Sequence, residues 1–98
     1  MIVPAIYLPA AEDDIESVWR SYESLSQGLG DRFVAAVISK IDLVCENPLA
    51  YGLYRRKIRA CPVRKFPFVV YYIARDIDVL IVAVQHGRRS SRRWRDRT

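Results

Sequence analysis

The chain has 98 residues, of which 51% are hydrophobic and 28% are charged, and its net charge at neutral pH is +5. This length accommodates one small domain with a single core, and the composition excludes wholesale disorder. No apolar run approaches the roughly 20 residues of a transmembrane helix, and the first residues lack a signal-peptide pattern, so we expect a cytoplasmic protein without a membrane segment.

The N-terminal half predicts a short strand followed by two helices. Residues 1–8 contain four aliphatic side chains and indicate a strand that Pro4 makes irregular or places at a sheet edge. Residues 9–27 and 31–46 carry apolar side chains at helical spacing, and Pro48 follows the second run. The short, glycine-containing connection between the runs predicts an antiparallel helical hairpin.

In residues 53–59 the helical spacing ends, and side chains of different character alternate from one residue to the next. This alternation predicts a strand on which three cations, Arg55, Lys57 and Arg59, share one face. The opposing possibility is that these cations form an ordinary solvated strand face without a ligand. We keep both interpretations open at this point.

Two further strands are predicted near the C-terminus. Residues 66–74 are rich in aromatic and β-branched side chains, and residues 79–85 are apolar almost throughout, as expected of a central strand covered on both faces. The order β-α-α-β-β-β predicts an α+β fold. A single domain over residues 1–98 would pack its helical hairpin on one face of a small, mostly antiparallel sheet.

Charge is divided unevenly along the chain. Residues 1–46 carry eight acids and three bases, a net −5, whereas residues 47–98 carry thirteen bases and three acids, a net +10. Six of these bases are arginines in a basic C-terminal tail at about residues 87–98. If the second half forms one surface, its positive field attracts polyanions or an acidic protein segment.

Several kinds of site are excluded by the residue inventory. The chain has one histidine, and its two cysteines, Cys45 and Cys61, are sixteen positions apart, so no familiar zinc site can form. EF-hand, HExxH and glycine-rich nucleotide motifs are also missing from the sequence. We therefore expect no metal and no cofactor, and we expect both cysteines to be reduced and buried.

The basic half retains one possible chemistry, metal-free RNA cleavage. This reaction needs a base for the 2′-OH, cations beside the phosphate and an acid for the leaving oxygen. His86 is the candidate acid or base, and Arg59, Arg64 or Arg88 are candidate phosphate clamps. His86 is equally well explained as a structural or exposed histidine at a strand end. Trp94 either stacks on a base or, as we prefer, holds the C-terminal tail against the domain.

The order of several short motifs resembles the RelE/ParE superfamily of toxins from type II toxin–antitoxin systems over nearly the whole chain. The motifs are AEDDI at 11–15, GLGDRF at 28–33, ENP at 46–48, FPFVVYY at 66–72 and VAVQHGRR at 82–89, with Trp94 and Arg97 beyond them. The resemblance implies a cytoplasmic toxin that is neutralised by a cognate antitoxin, ParD-like or similar. The antitoxin would bind with an acidic or amphipathic segment, in a heterodimer or a heterotetramer.

The resemblance also implies two mechanisms. RelE-like members cleave messenger RNA on the ribosome, and ParE-like members poison DNA gyrase. Ribonuclease members typically carry an arginine in a third-strand pattern that corresponds to residues 67–71, and here Phe68 occupies that position. Loss of such a cation removes on the order of several kcal/mol of transition-state stabilisation. We therefore predict a ParE-like gyrase poison that is not an enzyme.

The alternative is a RelE-like, metal-independent endoribonuclease that uses His86 with Arg59 and Arg64. A third possibility is a basic nucleic-acid-binding module without toxicity. Whether the toxin poisons gyrase or cleaves RNA, its basic half (residues 47–98) is expected to bind the target or the antitoxin. The expected binding residues are Arg55, Lys57, Arg59, Arg64, Arg88, Arg89, Arg92, Arg93 and Trp94.

Overall fold

The computed structural model describes residues 2–98, and in it two helices pack on a five-stranded mixed sheet. The elements are β1 (Ala5–Tyr7), α1 (Pro9–Leu25), α2 (Leu29–Glu46), β2 (Leu53–Arg55), β3 (Ile58–Pro62), β4 (Phe68–Ala74) and β5 (Val79–His86), followed by short 3-10 helices at Ser91–Arg93 and Arg95–Arg97. The sheet order is β1-β5-β4-β3-β2, and only the β1–β5 pair is parallel. The α+β class and the mostly antiparallel sheet are confirmed.

The helical hairpin forms as predicted, and two glycines explain its tight turn. Gly28 precedes α2 with a φ of +86°, a left-handed conformation that glycine adopts without a steric penalty. Gly30 lies against α1 so closely that an added Cβ would be 2.6 Å from the Trp19 carbonyl oxygen. The Glu23 carboxylate accepts the backbone N–H of Gly30 at 2.8 Å and so caps the beginning of α2.

The main core lies between α2 and one face of the sheet. Buried side chains recur along α2 at helical spacing, and their partners come from the strands. The buried residues of this layer include Phe33, Val37, Ile41 and Val44 from α2, and Cys61, Val70, Tyr72, Val79, Ile81 and Val84 from the sheet. Cys45 and Cys61 are free and buried, and burial raises the pKa of both thiols.

The C-terminal segment (residues 87–98) covers part of the other face of the sheet. Trp94 is 1% exposed, and its ring stacks on Tyr71 with centroids 4.2 Å apart. Tyr71, Val82 and Ala83 belong to the same buried cluster. The prediction that Trp94 holds this segment to the domain is confirmed. Because β5 has buried side chains on both faces, it is a doubly covered strand, also as predicted.

The single strand predicted over residues 53–59 is wrong. The chain turns back at Arg56 and Lys57, so that Arg55 of β2 pairs with Ile58 of β3. Arg56 has a φ of +50°, which reverses the chain where the alternation suggested a continuous strand. The three cations are therefore distributed over the end of β2, the turn and β3, and they do not form one stripe.

The end of β5 is secured by an ion pair. Because β1 pairs only with Val79–Ile81, the rest of β5 has an unpaired edge. There the Asp14 carboxylate accepts the N–H of Val84 at 3.0 Å and the Arg97 guanidinium at 2.7 and 3.1 Å. Arg97 also donates to the Val82 carbonyl oxygen at 3.1 Å. These bonds join α1, β5 and the C-terminal segment.

Candidate functional site

A groove of about 440 Å³ contains the only histidine of the chain. One wall is α1, and the other is formed by the ends of β4 and β5 with the C-terminal segment. We call it the His86 groove, and its lining residues are Asp14, Ser17, Val18, Ser21, Tyr22, Leu25, Pro67, Phe68, Val84, Gln85, His86, Arg89 and Arg93.

His86 is the last residue of β5 and lies opposite Phe68 of β4. Its ring meets the Phe68 ring edge to face, with centroids 5.5 Å apart. Nδ1 accepts the backbone N–H of Arg88 at 3.1 Å. In the neutral imidazole this bond places the proton on Nε2, which is then the nitrogen able to donate to a ligand.

Phe68 gives the groove an apolar floor at the position where ribonuclease relatives are expected to carry an arginine. Its ring lies 5.3 Å from Phe33 and 6.1 Å from Tyr22 between centroids, in edge-on arrangements. Phe66 joins the same aromatic cluster. Because residue 68 is a phenylalanine that packs with the core, β4 contributes no cation to the His86 groove from this position.

The structure does not bring Arg59 to His86. The two residues are separated by four positions along the strands and by two strand spacings, which is roughly 16 Å between Cα atoms. Arg59 instead donates to the Tyr51 carbonyl oxygen at 2.7 Å. Arg64 lies in the β3–β4 loop and lines a different surface cleft beside Lys40 of α2. The predicted set of His86, Arg59 and Arg64 is thus not assembled.

Arg89 and Arg93 are the cations that the structure places in the His86 groove. The sequence interpretation assigned them only to partner binding. Their positions three and seven residues after His86 were the available signal, since a short segment that folds back over the sheet keeps such residues near the strand end. Both side chains are exposed, and neither forms an ion pair within residues 2–98.

The other polar groups of the His86 groove are poorly suited to proton transfer. The Asp14 carboxylate is already engaged by Arg97 and by the N–H of Val84. Burial raises the pKa of the Tyr22 phenol, which therefore stays protonated at neutral pH. Histidine is the side chain that most often transfers protons in catalysis, so His86 is the candidate acid or base among the lining residues.

The remaining predicted binding residues occupy two exposed places. Arg55 and Lys57 lie at the β2–β3 turn, and Arg88 and Arg92 follow β5 in the C-terminal segment. The predicted binding residue Trp94 differs from these cations, because its side chain is buried against Tyr71 in this structure.

Two further findings concern metal ions and membranes. Within residues 2–98, no three His, Cys, Asp or Glu side chains are grouped so as to hold a metal ion. In the same part of the chain, none of the helices has the length and apolar character needed to cross a bilayer.

Comparison with known proteins gives a family and a fold. A family model described as the ParE toxin of the type II toxin–antitoxin system parDE matches residues 5–91. No curated protein matches the sequence. A chain of a chromosomal ParDE toxin–antitoxin system from P. aeruginosa superposes with a TM-score of 0.77 and 11% identity, over 87% of this chain and 96% of that one. A chain of the RelBE2 toxin–antitoxin complex from Mycobacterium tuberculosis gives 0.62 and 19%, over 88% and 99%.

Proposed function

The chain belongs to the ParE toxin family of type II toxin–antitoxin systems, and from this premise we propose that it arrests growth by poisoning DNA gyrase without cleaving nucleic acid. Family membership gives the class of toxin, and the target is the proposed part. A gyrase poison works by binding a protein–DNA complex and needs no acid and base of its own. It acts in the cytoplasm, where gyrase acts.

The observation that carries this proposal is the environment of Phe68. The residue lies at the centre of an aromatic cluster and directly opposite His86. An RNA-cleaving site needs a cation there to stabilise the charge of the phosphorane. Removal of one such group lowers the rate by about 100- to 1000-fold, which is on the order of 3–4 kcal/mol.

A ribosome-dependent endoribonuclease is the second candidate, and one observation favours it. The His86 groove combines a histidine that has a free Nε2 with two cationic side chains, Arg89 and Arg93. These arginines can bind a phosphate from the C-terminal side of the groove and so replace the missing strand cation. In that case His86 acts as the acid or base and no metal is required.

Membership of the toxin family implies that the chain has an antitoxin partner. How the antitoxin binds is part of the proposal. We expect a ParD-like or similar antitoxin to place an acidic or amphipathic segment on the cationic half of the toxin, in a heterodimer or heterotetramer. Opposite charge speeds association, and burial of apolar side chains supplies most of the affinity as the segment folds.

Purified toxin, gyrase and relaxed plasmid test the target directly. The proposal predicts less supercoiled product and an accumulation of linear DNA after protein denaturation and proteolysis. The His86→Ala variant should poison gyrase as well as the wild type does, because the proposed mechanism uses no proton transfer. An unaffected gyrase at toxin concentrations that stop growth refutes the proposal.

A translating extract tests the second candidate. Toxin-dependent cuts in messenger RNA that disappear with His86→Ala would establish the ribonuclease. Ser17→Ala, which changes another lining residue of the same groove, is the matched control and should leave any cleavage intact.

A further inference from the structure

In a second groove, which shares no lining residue with the His86 groove, four of the seven lining residues are cationic. It has a volume of about 340 Å³ and lies between the β2–β3 turn and the end of the C-terminal segment. We call it the turn groove, and its lining residues are Arg55, Arg56, Lys57, Ile58, Arg95, Asp96 and Thr98. The lining has four basic side chains and one acidic side chain, and within residues 2–98 none of the four basic side chains forms an ion pair.

The turn groove is held in place by the fold. The β2–β3 pairing fixes the turn on one side, and buried Trp94 fixes the neighbouring Arg95 on the other. Arg56 at the turn adopts a φ of +50°, a conformation that favours glycine or asparagine. The chain thus carries an arginine at a position where a smaller residue would fit the backbone better, which indicates a use for its charge.

The chemistry of the turn groove selects its ligand. Its one apolar residue, Ile58, is 5% exposed, so a peptide that must bury apolar side chains finds almost no apolar surface there. No aromatic residue lines the groove, so the bases of a single strand have nothing to stack on. What remains are guanidinium and ammonium groups, which bind phosphate oxygens.

We propose that the turn groove binds the phosphate backbone of duplex DNA through Arg55, Arg56, Lys57 and Arg95. The identity of the polyanion rests on the proposed function, because gyrase holds the duplex that it cleaves. The groove would fasten the toxin to this DNA while other surfaces contact the enzyme. Binding through phosphates has no sequence preference and depends strongly on salt.

The test is a salt titration of binding. Toxin from cell-free synthesis is titrated against a fluorescein-labelled 30-base-pair duplex, and anisotropy is measured between 50 and 200 mM NaCl. Four phosphate contacts predict that the affinity falls about 150-fold over this range, and two contacts predict a fall of about 12-fold. The variant Arg56→Asn/Lys57→Gln should therefore bind more weakly and show the smaller salt dependence.

The matched control is Arg20→Gln/Arg32→Gln, which changes the net charge equally on the exposed helical side. It should retain the wild-type salt dependence. Equal losses of duplex affinity in the two variants would show that only the net charge of the protein matters. Tighter binding to single-stranded RNA of the same length would assign the groove to RNA. Either result overturns the proposal, as does absence of binding to the duplex at 50 mM NaCl. Circular dichroism spectra of both variants verify folding.

The gyrase assay separates this inference from the proposed function. If the turn groove variant traps cleaved DNA as well as the wild type and binds the duplex equally, the groove inference fails while the gyrase proposal stands. If the duplex titration behaves as predicted but the wild type never traps cleaved DNA, the gyrase proposal fails and the groove is a general DNA-binding site. Both proposals together predict that the variant needs more toxin to trap the same amount of DNA.

Discussion

Replacement of Trp94 by alanine tests whether this residue belongs to the core or to a binding surface. The side chain is 1% exposed, and it stacks on Tyr71 at 4.2 Å and contacts Tyr54 at 5.8 Å between ring centroids. Truncation of a buried tryptophan to alanine destabilises a protein by about 3–5 kcal/mol, because transfer free energy is lost and a cavity remains.

The magnitude can be converted into a melting temperature. A chain of 98 residues unfolds with an entropy of about 0.2 kcal/mol/K near its midpoint, so a loss of about 4 kcal/mol lowers Tm by about 20 °C. The free energy of unfolding of a small domain is only about 5–15 kcal/mol. The variant should therefore be folded at low temperature, with a free energy of unfolding that is small or close to zero. Circular dichroism at 222 nm during heating measures the shift.

Trp94→Phe provides the control for this prediction. The indole N–H of Trp94 has no hydrogen-bond acceptor among the described residues, so phenylalanine leaves no partner unsatisfied and keeps most of the ring contact. We expect a loss of about 1–2 kcal/mol. A Trp94→Ala variant that melts within about 3 °C of the wild type would show that Trp94 is not part of the core.

Three other predictions concern the packing of Gly30, the Asp14–Arg97 ion pair and the buried Tyr72 phenol. Gly30→Ala should destabilise by about 1–3 kcal/mol, since its Cβ would meet an α1 carbonyl at 2.6 Å, whereas Gly52→Ala meets nothing within 4 Å and should be neutral or stabilising in urea denaturation. A double-mutant cycle of Asp14→Ala and Arg97→Ala should give a coupling of about 1–3 kcal/mol; additive effects would show that the pair is not formed in solution. Burial raises the pKa of Tyr72 to about 12 from 10.0, so stability should fall as the pH rises from 10 through 12. Tyr72→Phe should reduce this alkaline dependence without abolishing it, because burial also raises the pKa of Tyr7 and Tyr71. The variant should lose about 1 kcal/mol at neutral pH, because it lacks the hydrogen bond that the Tyr72 hydroxyl donates to the Pro48 carbonyl oxygen at 2.7 Å.

The helices were predictable, because the spacing of apolar residues along a short segment indicates a helix. Apolar residues at helical spacing predicted α1 and α2 to within two residues of their observed ends. The apolar run ending at Gln85 gave the doubly covered strand β5. The role of Trp94 as an anchor was also foreseeable, since a large aromatic residue within a run of arginines has few other ways to be buried.

The β2–β3 turn was not predictable from local pattern. Two-residue hairpin turns are normally signalled by glycine or asparagine, and here the turn residues are Arg56 and Lys57. With no such signal, the alternation of residues 53–59 suggested one continuous strand. The missed turn also concealed the turn groove, because Arg55 and Lys57 were assigned to a single strand face.

The composition of the His86 groove depended on long-range geometry. His86, Arg59 and Arg64 share a basic half of the sequence, but the strand order places β4 between the strands of Arg59 and His86. Similarly, Asp14 and Arg97 are 83 positions apart, and no local pattern can pair them. Such contacts follow from the sheet topology, which is a property of the whole chain.

Gyrase poisoning without proton transfer is tested most directly by the gyrase reaction with wild-type toxin and His86→Ala side by side. Both proteins should block supercoiling and accumulate linear DNA to the same extent. Neither protein should cut messenger RNA in a translating extract. Supercoiling that proceeds normally, together with messenger RNA cleavage that His86→Ala abolishes, would contradict gyrase poisoning and assign the His86 groove to a ribonuclease.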